Sequence, residues 1–140
     1  MVRHHRPVPT DDPSAEDYKS VLAATRAMSA AGWREATLNE QVDAWGSLVE
    51  TVETGYTMTV DDYTNDLAVR EWIERVLPML TRSLQQSLEG RLEPLDERFR
   101  LATVEPKHRM PGAGSEWWYR LPRVLVAELA EDAQRMDLAP

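Results

Sequence analysis

Carboxylates dominate the residues of this chain that could do chemistry. Glu35, Glu40, Asp43, Glu50, Glu53, Asp61, Asp62 and Asp66 all lie between Glu35 and Val69, a stretch with no lysine, arginine or histidine. On a helix, Glu50 with Glu53 and Asp62 with Asp66 are each neighbours on one face. Two carboxylates one turn apart can share a hard cation such as Mg2+. The other use of such a cluster is electrostatic: an anionic surface repels nucleic acid and draws in basic proteins. Asp66 and Arg70 are spaced i, i+4 with the acid first, the favourable order for a structural ion pair. If Asp66 faces the core it requires Arg70 or a backbone donor, because an unpaired buried charge is costly.

Trp117-Trp118 is the conspicuous aromatic pair. Neighbours in a strand point to opposite faces, so one Trp is expected to pack inward and the other to face solvent or a partner. Trp is enriched at the energetic centres of interfaces. The histidines are less informative. His4 and His5 sit between Arg3 and Arg6, and His108 sits between Lys107 and Arg109, with no third ligand identifiable for a metal. Ser47 lacks the strand–turn–helix setting of a nucleophile elbow. No metal, cofactor or catalytic residue is assigned.

Glu50-x-x-Glu53 resembles the first carboxylate element of the all-α nucleoside-triphosphate pyrophosphatases. Those enzymes add Glu-x-x-Asp on the next helix, where this chain has Asp62-x-x-x-Asp66. The resemblance implies a Mg2+-dependent nucleotide phosphohydrolase using Glu50, Glu53, Asp62 and Asp66. Asp61-Asp-Tyr-Thr-Asn-Asp66 is also similar to the aspartate-rich string of isoprenoid synthases. A chain of 140 residues is too short for that fold to enclose a prenyl substrate.

The formal net charge is −8, and the 35–69 window accounts for all of it, since the rest of the chain holds 16 acids and 16 bases. The absence of cysteine excludes disulfides, a thiol nucleophile and cysteine zinc sites. No apolar run is long enough to span a bilayer. Residues 1–12 lack the apolar core of a secretory signal, so a cytoplasmic protein is expected. The length suits one domain, placed at 13–140 behind a flexible arm at 1–12.

The elements that must position these groups are mostly helical. Asp12-Pro13 or Ser14-x-x-Asp17 opens a first helix that runs to about residue 30. Thr37-x-x-Glu40 is a capping box for a helix at 38–54, whose Val42, Trp45, Val49, Val52 and Tyr56 form an apolar stripe. Glu40, Asp43, Glu50 and Glu53 fall on a neighbouring arc. Thr59-x-x-Asp62 opens a third helix along Val69, Ile73, Val76 and Leu80, expected to kink at Pro78 and continue to Gly90. Segments 98–104 and 116–121 alternate around a Pro/Gly-rich loop, which predicts a β-hairpin, with continued helix as the competing reading. A final helix is expected from Pro122. The fold class is mainly α (α+β): a bundle of four to five helices with one C-terminal hairpin.

The function expected from this pattern is a small acidic protein-binding module. An inhibitor of the bacterial immunity or antitoxin type, neutralising a basic partner, fits it. Glu40, Asp43, Glu50, Glu53 and Asp61 would form the binding face, and Trp117 and Trp118 the aromatic anchors. Nucleic acid and membrane partners are not expected. The alternatives are the phosphohydrolase above and a self-associating accessory domain, a homodimer in its simplest form.

Overall fold

A computed structural model describes residues 14–140. The arm expected at 1–12, with its His4–His5 patch, lies outside them. Five helices pack together, and a short antiparallel strand pair joins them in the C-terminal third.

The first three helices begin where their capping boxes place them. In α1 (Ala15–Ala30), α2 (Leu38–Thr54) and α3 (Val60–Val76), the N-cap Ser14, Thr37 or Thr59 accepts from the N3 amide. The carboxylates of Asp17, Glu40 and Asp62 reach back to the cap amides. Each box satisfies two donors that the helix itself leaves orphaned. Gly55 ends α2 at φ 134, a conformation open to glycine at little cost.

The core forms between α2 and α3, with α4 laid against α2. Trp45, Val49 and Val52 from α2 meet Tyr63, Leu67, Trp72 and Ile73 from α3, all of them buried. Burying one large apolar side chain contributes roughly 1.5–3 kcal/mol, so this seam is the main source of stability.

Pro78 does more than kink the third helix. It sits in a 3-10 turn, Leu77–Met79, and a separate helix α4 (Arg82–Leu101) starts afresh under the Thr81 N-cap. Neither Gly90 nor Pro94 stops α4, which buries Leu88, Leu92, Asp96 and Phe99 along one side. Residues 98–101, expected in a strand, therefore complete a helix. The hairpin is correspondingly short. In it, β1 (Thr103–Val104) pairs antiparallel with β2 (Leu121–Pro122), in the register Thr103 opposite Pro122. Pro122 thus lies in a strand rather than at a helix start, and α5 (Ala127–Arg135) begins five residues later.

The strand pair and α5 close the bundle from one end. Tyr63 donates its hydroxyl hydrogen to the Arg120 carbonyl at 2.5 Å, and Asp132 Oδ2 accepts from the Val60 amide at 2.8 Å. An acid from α5 thereby supplies a further cap to the first turn of α3.

Candidate functional site

Helix α1 is the least embedded helix of the bundle. Of its 16 residues only Asp17, Ala24 and Met28 are buried. It rests on α3 and the 3-10 turn, and its N-terminal end is pinned to α4. The Thr81 hydroxyl, which caps α4, donates to the carboxylate of Asp17, and the Thr81 amide meets Ser20 Oγ at 3.4 Å. Asp17 therefore serves two helix starts at once. The Thr81 hydrogen bond, with the Ser14 amide, holds its carboxyl below the usual aspartate range.

This seating turns a second side of α1 outward. Tyr18 is 66% exposed and Leu22 49% exposed. Both line a cleft of about 1070 Å3 between α1 and the segment that leads into α2. Val21, Thr25 and Arg26 continue the α1 wall, and Glu35 and Glu40 stand on the other wall. A second hollow of about 590 Å3 adjoins it through Tyr18, Val21 and Thr37, with Leu38, Leu84 and Leu88 supplying apolar surface. The combined feature is an apolar channel with an acidic side.

The eight acids of the 35–69 window do not form one face. Glu35 and Glu40 belong to the α1 cleft. Asp43 and Glu50 line the seam between α2 and α4, where Arg91 and Arg98 of α4 also stand. Arg98 takes Glu53 in a two-bond pair at 2.6 and 3.0 Å. That hydrogen bond holds the Glu53 carboxyl below its ordinary range and raises the Arg98 guanidinium. Glu53 is therefore paired within the chain. Asp61 is exposed in the first turn of α3, where the helix dipole favours a negative charge.

The four carboxylates considered for Mg2+ are likewise dispersed. Glu53 faces α4, Asp62 caps its own helix through Thr59, and Asp66 accepts from the Tyr56 hydroxyl at 2.6 Å. Among the described residues, no group of three or more His, Asp or Glu side chains is arranged to hold a metal ion.

The expected Asp66–Arg70 pair is replaced by another. Arg70, 5% exposed, donates from Nε and Nη2 to both oxygens of Asp96 in α4, at 3.1 and 2.9 Å, and from Nη1 to Glu74 at 2.9 Å. The Trp45 indole N–H also donates to Asp96, at 3.0 Å. Burial alone would disfavour the guanidinium charge, but the bonds that Arg70 donates to Asp96, with the negative charges of Asp96 and Glu74, outweigh it and raise the Arg70 pKa. Asp66 misses this node because its carboxylate is held at the Tyr56 hydroxyl, and burial together with the Asp66 bond raises the Tyr56 pKa.

Trp117 and Trp118 precede β2 and are not part of a strand, so they do not alternate between faces. Their rings meet edge to face, with centroids 5.8 Å apart. Trp118 is 2% exposed, with the Arg70 guanidinium 5.2 Å from its ring centre. Trp117 is half-buried and covered by the Arg100 guanidinium at 4.0 Å. Trp118 is a core residue that is closed to a partner, and Trp117 is largely capped from within the chain.

Lys107 is paired within the chain to Asp137 at 3.0 Å, and His108 Nε2 lies 3.7 Å from the same carboxylate. Sequence reasoning missed Tyr18 and Leu22 as surface groups, because their helical spacing reads equally well as a core stripe. Comparisons with protein-family models, with curated proteins and with solved structures find no match.

Proposed function

We propose that this chain is a protein-binding module whose site is the cleft between α1 and the segment entering α2. Its occupant is a helix with an apolar stripe and basic flanks. The observation that supports this is the exposure of Tyr18 and Leu22 over a channel that Val21, Leu38 and Leu84 continue. Helix-in-groove recognition uses apolar anchors one turn apart, and Tyr18 with Leu22 gives the matching half. Glu35 and Glu40 on the facing wall make the groove selective for cations. Glu40 stays ionised in mild acid, because the Thr37 amide holds its pKa down.

The chemistry suits an inhibitor of a basic protein, in which the acidic excess speeds encounter and the apolar groove slows release. Glu40 contacts the occupant, and Asp43, Glu50 and Asp61 act at longer range. The phosphohydrolase reading is not adopted, since Glu50, Glu53, Asp62 and Asp66 do not converge on one donor set.

The test is a titration of the full chain with a labelled synthetic helix carrying Leu at i and i+4 and Arg on the flanks. A second peptide has Glu in place of Arg. The Arg peptide is expected to saturate the chain, with the Leu22→Asp variant binding at least tenfold more weakly and the Glu peptide not at all. Equal binding of both peptides, or no loss in Leu22→Asp, overturns the reading.

A further inference from the structure

The occupant of this cleft can be specified further, and doing so rests on the protein-binding reading above. Tyr18, Leu22 and Arg26 stand at i, i+4 and i+8 on α1, so they form one line along the exposed side of the helix. That line complements itself when reversed. In an antiparallel pair of α1 helices related by a two-fold axis at Leu22, Leu22 meets Leu22 of the other copy. Tyr18 of each copy then meets Arg26 of its mate. The first contact is apolar, and the second places a guanidinium against a phenol ring, a cation–π pairing that occurs twice.

Local charge points the same way, although two copies at −8 each repel at long range. The outward side of α1 carries Arg26 in its middle with Lys19 at its edge, and neither takes part in an ion pair among the described residues. The facing wall carries Glu35 and Glu40. Seating a second α1 in the cleft therefore brings two cations of one copy towards two carboxylates of the other, and the symmetry repeats this on the opposite side. On its outward side helix α1 offers an apolar line with Lys19 and Arg26 beside it, while its first turn carries Glu16 and Asp17.

We propose that a second copy of this chain fills the cleft when no basic partner protein does, docked through α1 as an isologous antiparallel helix pair centred on Leu22. One helix against one groove is a small interface, so a weak, reversible dimer is expected.

Mass measured against protein concentration is the primary test. The native chain should shift from monomer to dimer across the micromolar range. Leu22→Asp should stay monomeric throughout, and Arg26→Glu should need at least tenfold more protein to dimerise. Both positions are exposed, so these variants should fold normally, with an unchanged helical spectrum as the control. Since the chain has no cysteine, Leu22→Cys places a single thiol at the two-fold axis. A short thiol crosslinker should capture it as a covalent dimer. Ser29→Cys, on the same side but seven residues from the axis, lies roughly 20 Å from its mate and should not be captured.

A native chain that remains monomeric at all concentrations overturns the inference. So does a dimer that Leu22→Asp leaves intact, or equal capture at positions 22 and 29. If the chain is monomeric yet binds the Arg peptide, only the second-copy assignment falls and the groove remains a protein-binding site. If neither occurs, both fall.

Discussion

At the scale of single residues, the Arg70–Asp96 pair is the most demanding feature of the chain. Two opposite charges are withdrawn from water and joined through two hydrogen bonds, with Trp45 adding a third donor. Removing one charge strands the other. Arg70→Met should therefore destabilise the fold by about 3–5 kcal/mol in urea unfolding, whereas Arg70→Met with Asp96→Leu should recover most of that loss. If the double variant is as unstable as the single one, packing around Trp118, and not charge, governs the site. A smaller feature is Ala127, which opens α5 at φ 51, a left-handed conformation that costs a side-chain-bearing residue about 1–2 kcal/mol. Ala127→Gly should raise the melting temperature slightly. Ala130→Gly, inside the same helix, should lower it by the equivalent of about 1 kcal/mol.

At the scale of elements, α1 is the helix most readily detached, and Asp17 is its anchor. The Asp17 carboxyl is held below its unfolded value of 3.8 by Thr81 and Ser14. A carboxylate depressed in the folded state contributes its full stabilisation above the unfolded pKa and loses it as pH falls through the folded pKa. Acidification from about pH 5 to about pH 2 should therefore release α1 amides to hydrogen exchange before those of α2 and α3. Asp17→Ala should bring that early release to neutral pH.

The helices were legible where local chemistry decides them. Ser14, Thr37 and Thr59 mark the starts of α1, α2 and α3 through side chains that act within three residues. Helix α4 was harder to read. Gly90 and Pro94 interrupt its pattern visually, while the register Leu88, Leu92, Phe99 passes through both. Its partners settle the conformation: Phe99 packs on Trp45 with ring centroids 4.9 Å apart, which no local rule reports. The Arg70 partner was hidden for the same reason. Asp96 is 26 residues from Arg70, whereas Asp66 stands at the favoured helical spacing.

At the scale of the whole molecule, folding redistributes the charge. The acidic window is contiguous in sequence, but its members divide among the α1 cleft, the α2–α4 seam and the start of α3. Arg98, from outside the window, cancels Glu53. What remains is a net charge of −8 acting at long range and two glutamates acting at the groove. Raising the ionic strength from about 0.05 to about 0.5 M shortens the Debye length to a few ångströms. Over that range, binding of the Arg peptide should weaken mainly through slower association, with dissociation nearly unchanged. A purely apolar groove would strengthen or hold its affinity instead, so stopped-flow rates separate the two cases.

The bond that the Val60 amide donates to Asp132, with Leu129 and Leu138 buried in the core, sets an order on assembly. A ribosome delivers α2 and α3 early, yet the opening turn of α3 waits for Asp132 to complete its cap. Until then the nascent chain shows oily surface to its surroundings, and chaperones that shelter such surface have their window before α5 arrives.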